Sequence, residues 1–128
     1  LRSCSTALQT ATLTHGSYAN VLTKVGTGWL IYCDPPYYGT FDQYSPEGFD
    51  AQHHELLIMI LGDLIKYGAK VVYSNSKDPQ IVKWLRHYWG AACSICDVQA
   101  RVPLNRDGAG RGVRVELLAT SRCHKSKV

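Results

Sequence analysis

The chain of 128 residues has no long hydrophobic run; its longest is Leu56 to Leu61. A membrane-spanning helix needs ~20 apolar residues, so no membrane partner is expected. The first residues, LRSCSTALQT, carry no apolar core of a secretory leader. A disulfide framework is absent as well. The five cysteines are odd in number and irregularly spaced, which points to a reduced, cytosolic setting. Cys93-Ser-Ile-Cys96 has zinc-type spacing but no second pair, with only His124 beside Cys123. A strand through Ala91 to Val98 would also turn the two thiols to opposite faces. Buried structural thiols are the expected reading, with no metal. Acidic charge thins out toward the C-terminus. Residues 1–96 hold seven basic and seven acidic side chains, and residues 97–128 hold seven basic and three acidic, giving the net charge of +4. A basic last quarter suits a polyanion, nucleic acid most simply; a solvated tail reads the same way. The first residue is Leu rather than Met and opens no obvious unit, so the chain reads as a piece of a longer protein.

Strands and helices alternate in what is present. Leu1 to Gln9 reads as the end of a helix and Thr10 to Thr14, rich in β-branched residues, as a short strand. Ser17 caps a helix that runs to Val25 and stops at Gly26. Trp29 to Cys33 is continuously apolar, as in a strand covered on both faces. Asp50 opens the clearest helix, with Leu57, Ile60, Leu61 and Leu64 at helical spacing and Gly68 at its end. Lys70 to Ser74 is a second apolar strand. Asp78-Pro79 starts another helix, whose buried stripe is Ile81, Val82, Leu85 and Trp89, with Gly90 closing it. Ala91 to Arg101 and Val113 to Ala119 read as strands joined by the polar loop Pro103 to Gly112, an antiparallel hairpin. The alternation predicts one α/β domain over residues 1–128 with a mostly parallel sheet, closed by that hairpin, and a frayed basic tail over 120–128. In such sheets ligands sit beyond the carboxyl ends of the strands. Two polar segments fall there: Asp34-Pro-Pro-Tyr37 and Ser74-Asn75-Ser76.

Two adjacent prolines stop the first of these strands, since each lacks a backbone donor and fixes φ. The result is a rigid, aromatic tip fitted to a flat heteroaromatic that carries an amino group. Asp34 accepts one amino hydrogen, the Pro35 carbonyl accepts the other, and Tyr37 stacks on the ring, a contact worth roughly 1–3 kcal/mol in base-binding sites. Two acceptors on one amine suit the positive charge it develops as it attacks an electrophile, so the tip reads as a site for amino-methylation. Tyr38, Phe41, Tyr44 and Phe49 either pack the following loop or line the base pocket. Ser74 and Asn75 are either a turn bonding its own backbone or substrate contacts. His53 and His54 fall in the first turn of a surface helix. Arg101, Asn105, Arg106 and Arg111 are candidates for DNA contact, the arginines through phosphates.

Asp34-Pro35-Pro36-Tyr37 resembles the signature of S-adenosylmethionine-dependent, adenine-specific DNA methyltransferases, and the ordered set of segments is similar to the Dam-type, or D12, branch. "GWLIYCDPPY", then Phe41, Tyr44 and Gly48-Phe49, then "HHELL" (His53 to Leu57), "VVYSNS" (Val71 to Ser76), Arg101, Gly110-Arg111 and "VELL" (Val115 to Leu118) follow the family order over about residues 9 to 120. The resemblance implies the C-terminal half of a Rossmann-like methyltransferase sheet. It implies S-adenosylmethionine as cofactor, with Asp34 touching it, and double-stranded DNA as partner, its adenine flipped into the pocket. It implies Asp34, Pro35, Pro36 and Tyr37 as the catalytic residues.

Two family features have no counterpart in the sequence: the glycine-rich donor loop after a first strand, and the target-recognition region. Gly26-Thr-Gly28 precedes a strand, and Gly108-Ala-Gly-Arg-Gly112 leads into one, so neither has the strand-to-helix context. Ser17 stands where relatives often carry an acid. A separate N-terminal half or second subunit is therefore expected to supply the donor site. Two other readings stay open. One is a methyltransferase for RNA guanine or protein glutamine, whose families more often carry Asn in place of Asp34. The other is a non-catalytic remnant that binds nucleic acid through its basic hairpin.

Overall fold

A computed structural model of the chain describes residues 2–39, 48–101 and 113–122 (only the backbone of Arg2, Ala7, Ala100, Arg101, Val113 and Arg114). The elements are α1 (Arg2–Leu8), α2 (Tyr18–Leu22), β1 (Leu30–Cys33), α3 (Ala51–Lys66), β2 (Lys70–Ser76), α4 (Pro79–Trp89), β3 (Cys93–Arg101) and β4 (Val113–Ser121), with a short 3-10 turn, Gly90–Ala92, before β3.

Local chemistry explains most of these limits. Ser17 caps α2, its side chain accepting from the Ala19 N–H at 3.3 Å. Asp50 caps α3 by accepting from the His53 N–H at 3.0 Å, and Asp78 caps α4 by accepting from the Gln80 N–H at 2.7 Å. Each satisfies a donor that the first helical turn leaves free. Beyond α3 the chain reverses at Gly68, where φ is +92° and an added Cβ would lie 2.9 Å from Thr27 Cγ2. Only glycine suits both the torsion and the approach.

The sheet order is β1-β2-β4-β3. β1 and β2 are parallel, with Ile31 opposite Val71, and β4 runs antiparallel to both β2 and β3. Among the described residues three strands therefore share a direction, and the closing hairpin contributes the one antiparallel strand, inserted between β2 and β3. The fold is mixed α/β, with the sheet left open.

Helices α3 and α4 cover one face. Val71 and Tyr73 of β2 and Leu117 and Ala119 of β4 point into a core with Leu57, Ile58 and Leu61 of α3 and Ile81, Trp84, Leu85 and Trp89 of α4. Trp84 is an addition to the stripe expected for α4, and Val82 is only half-buried. Trp89 also donates its indole N–H to the Ile58 carbonyl at 2.9 Å, tying the two helices. Burying such side chains stabilises by ~1.5–3 kcal/mol each.

Three expectations are corrected here. Thr10 to Thr14 forms no strand; the chain leaves α1 through a turn and stays irregular and exposed. β-branched residues favour extended backbone, but only a neighbouring strand turns that preference into a ladder. β1 is not covered on both faces either. Leu30 is 70% and Tyr32 66% exposed, whereas Ile31 and Cys33 pack against the core. The continuous apolar run serves one face with the helices, and among the described residues no element covers the other. His54 departs from a surface position too: it is 1% exposed.

Candidate functional site

β1 delivers Asp34 to the carboxyl end of the sheet, and Pro35-Pro36 ends the ladder there. Asp34 sits beside the end of β2, where Ser74 donates its hydroxyl hydrogen to Asp34 Oδ1 at 2.6 Å. Ser74 is itself buried, so it fixes one carboxylate oxygen from within the sheet. The two polar segments read from the sequence thus meet at one rim.

The two tyrosines part ways. Tyr37 reaches across the end of β2 and donates its hydroxyl to Glu116 Oε2 on β4 at 3.0 Å. Burial, and then that hydrogen bond, push its pKa up to about 12, so the phenol keeps its proton. Tyr38 is held through its main chain. Its N–H donates to Asn75 Oδ1 at 2.9 Å and its carbonyl accepts from Ser76 Oγ at 2.8 Å. Its ring stands edge-on to His54 and Trp84, with centroids 5.3 and 5.7 Å away.

Asn75 is completely buried. Its Oδ1 also accepts from the Ser76 N–H at 2.9 Å, and its Nδ2 donates to the Tyr73 hydroxyl at 3.0 Å. Its amide therefore serves the loop backbone and the core rather than facing the rim. Phe49 packs edge-on to His54 and Tyr18, with centroids 4.6 and 6.1 Å away. His54 lies beneath both aromatics with its Nδ1 buried and without a hydrogen-bond partner. Burial pushes its pKa down to about 4. Cys33 is likewise raised to about 11 by burial and then by Asp34, which leaves the thiol protonated and a poor nucleophile.

A hollow of about 440 Å³ opens beside this tip, within the ~300–1,000 Å³ of small-molecule sites. Tyr18, Val21 and Leu22 of α2, Ile31 to Cys33 of β1, Asp34 to Pro36, Phe49 and Leu57 wall it, and Gly16 lies at its edge. No residue of β2 or β4 takes part, so the hollow lies on the side of β1 away from β2. Tyr37 and Glu116 lie on the other side. Asp34 borders the hollow and bonds to β2, and so stands between the two.

Phe41, Tyr44, Asn105, Arg106 and Arg111 lie outside the described residues, as do Gly108 to Gly112, Cys123 and His124; of the frayed tail expected over 120–128, residues 123–128 lie outside them too, whereas Thr120 and Ser121 are not frayed but paired in β4 with Val72, Ser94 and Cys93. Only the backbone of Arg101 is described, at the end of β3. Cys93 packs against the core, while Cys96 is exposed and its thiol lies 3.4 Å from the Leu118 carbonyl. Among the described residues no three His, Cys, Asp or Glu side chains form a metal-binding group. Glu116, Tyr73 and Trp84 join the site without a place among the residues expected there. The one available signal was an acid at position 116 inside the apolar strand Val115 to Ala119.

The family profile of D12 class N6 adenine-specific DNA methyltransferases matches residues 1–103. The chain is 32% identical over 108 residues to a DNA N-6-adenine-methyltransferase of Escherichia phage P1, covering 80% of this chain and 14% of that protein. It is 35% identical over 102 residues to the retron Ec67 DNA adenine methylase of Escherichia coli, covering 74% and 35%. It is 32% identical over 124 residues to a DNA adenine methylase of Vibrio cholerae serotype O1, covering 92% and 43%. The chain spans less than half the length of each of these relatives. With the family profile matching most of its length, the chain belongs to the D12 class N6 adenine-specific DNA methyltransferases.

Proposed function

We propose that the protein containing this chain transfers a methyl group from S-adenosylmethionine to the N6 amine of adenine in double-stranded DNA. The observation that carries the reading is the position of Asp34. It is pinned by Ser74 at the carboxyl end of a parallel strand, with a heteroaromatic-sized hollow on one side and Tyr37 on the other. A two-substrate transfer needs an acceptor group at the meeting point of both substrates.

The residues present fit the donor in part. The hollow combines an apolar bed for a flat ring with a carboxylate at its rim, and that pairing suits a cationic adenosine derivative. When bound, S-adenosylmethionine supplies an electrophilic methyl group. Tyr18, Leu22, Ile31 and Phe49 would wall its adenosine, and Asp34 would face its charged end. On the other side, an adenine flipped from the duplex lies against the Tyr37 ring. Asp34 and the Pro35 carbonyl accept its two amino hydrogens. They orient the nitrogen lone pair toward the hollow and stabilise the positive charge that grows on the amine. The proton then leaves to solvent, and no protein nucleophile is required. Asn75 and Ser76 act at one remove, by fixing the backbone of Tyr38.

The described strands form the C-terminal part of a Rossmann-like sheet in this reading. A further N-terminal half, or a second subunit, supplies the glycine-rich donor loop and the target-recognition region. The uncovered face of β1, with Leu30 and Tyr32 exposed, supports a further layer there. Among the described residues no helix is long and apolar enough to cross a membrane. In this reading the protein acts on DNA in the cytoplasm of a bacterial or phage-infected cell.

The test is labelled methyl uptake from S-adenosylmethionine by unmethylated DNA, RNA and protein in parallel. The expected result is label in DNA alone, recovered as N6-methyladenine. Label in RNA or protein with none in DNA refutes the reading.

A further inference from the structure

Glu116 is an acid in an otherwise apolar stretch of strand, flanked by Val115, Leu117 and Leu118. It is half-buried, and desolvating a carboxylate is costly unless a good partner compensates. The partner is the Tyr37 hydroxyl, 3.0 Å from Glu116 Oε2 and 79 positions away in sequence. A hydrogen bond to a carboxylate is of the stronger kind.

The sheet register gives this contact a second feature. Glu116 stands opposite Ser76, the last residue of β2, and Ser76 Oγ donates to the Tyr38 carbonyl at 2.8 Å. Asn75 Oδ1 accepts from the Tyr38 N–H at 2.9 Å. The main chain just after Tyr37 is therefore fastened to β2, while the tip of its ring is fastened to β4. Pro36 stiffens the chain on the preceding side. A tyrosine ring has two soft torsions, and stacking on a flat base tolerates little tilt. Fixing both the backbone and the hydroxyl removes the swing that the two torsions would otherwise allow.

We propose that Glu116 is a positioning residue for methyl transfer: by holding the Tyr37 hydroxyl it sets the tilt of the ring against the target base. This rests on the reading of Tyr37 as the base-stacking residue. Glu116 does not touch the reacting atoms; it acts through Tyr37. Its loss lets the ring swing, so bound base samples productive geometry less often. The effect falls on kcat rather than on binding of the donor, which lies on the far side of Asp34.

The experiment uses the full-length protein that contains this chain. Glu116→Ala should lower kcat about tenfold, the scale of one charge-assisted hydrogen bond, with the KM for S-adenosylmethionine unchanged. Glu116→Gln, which keeps an acceptor oxygen in place, should restore most of the loss. Tyr37→Phe removes the same contact from the other end, so the double variant Tyr37→Phe/Glu116→Ala should be no slower than the slower single variant. Wild-type kcat in Glu116→Ala, or single losses that multiply in the double variant, would overturn the proposal. A ring-fluorinated tyrosine at position 37 gives a readout independent of the substrate. Its fluorine resonance should be sharp in the wild type and shifted or exchange-broadened in Glu116→Ala; an unchanged resonance also overturns the proposal. A wild-type protein inactive on DNA adenine would instead sink the functional reading, and the fluorine signal tells that failure apart from failure of the Glu116 contact.

Discussion

Replacing Asn75 by Ala tests whether the rim of the sheet is built on one buried amide. Asn75 has no exposed surface. Its Oδ1 accepts from Tyr38 N–H and Ser76 N–H, and its Nδ2 donates to the Tyr73 hydroxyl. Ala removes all of these at once. Tyr73 is itself fully buried, so its hydroxyl loses its partner where water cannot replace it, and the Tyr38 N–H loses its acceptor. An orphaned buried polar group costs roughly 1–3 kcal/mol. The Tyr73 hydroxyl and the Tyr38 N–H set the expected destabilisation at about 3 kcal/mol, with the Ser76 N–H, which also loses its acceptor, and the vacated volume adding to it. Against a total stability of about 5–15 kcal/mol that is a large fraction. Urea unfolding followed by tryptophan fluorescence reads it directly, since Trp84 and Trp89 lie in the core. Adding Tyr73→Phe removes one orphaned group together with its partner. The double variant should therefore be less unstable than the sum of the two single changes. A loss below about 1 kcal/mol for Asn75→Ala, or strict additivity with Tyr73→Phe, would refute the accounting.

Two further outcomes follow from the core. Burial holds the His54 pKa near 4 against an ordinary value of 6.5, so the unfolded chain takes up a proton through pH 6.5 while the folded one waits until about pH 4; stability present above pH 6.5 is lost as pH falls through this window, by about 3 kcal/mol in all. His54→Phe should flatten that part of the pH–stability curve measured by urea unfolding, and an unchanged curve would count against the buried neutral imidazole. At Gly62 an added Cβ would lie 2.9 Å from the Tyr88 carbonyl and 3.1 Å from Trp89 Cδ1, so Gly62→Ala should destabilise by ~1–3 kcal/mol despite the ~1 kcal/mol that Ala gains in helix propensity; a stabilised variant would show that α3 and α4 are not in close contact there.

How much of this was legible depends on how local each signal is. Asp50, Gly68, Asp78-Pro79 and Gly90 mark helix ends through bonds that span a few residues, and α3 and α4 begin and end where those residues predict. The alternation of Val113, Val115, Leu117 and Ala119 gave β4 one apolar face, of which Leu117 and Ala119 lie in the core while Val115 is exposed. The strand expected over Thr10 to Thr14 failed because β-branching states a preference, and a ladder also needs a neighbour. The apolar run of β1 could not show that its second face is uncovered, since the sequence of a strand is the same with or without a layer above it. The position of His54 in the first turn of α3 predicts a surface residue, and only Tyr38 and Phe49, which close over it, bury it. The Asp34 turn was legible from its own residues. The strand order also brought Ser74 to the same rim, but neither its hydrogen bond to Asp34, 40 positions away, nor the reach of Tyr37 to Glu116, 79 positions away, is recorded in any local pattern.

The central claim is that Asp34 is the group on which both substrates meet. The direct measurement is methyl transfer to unmethylated DNA by Asp34→Ala in the full-length protein, beside a thermal melt of the same preparation. The account predicts a fall in rate of about 10²–10³ or more, as when one preorganised partner of a developing charge is removed, with a melt that stays cooperative and is lowered only by the loss of the Ser74 hydroxyl's partner, since Asp34 itself is exposed. A folded Asp34→Ala variant that methylates DNA at the wild-type rate would contradict it.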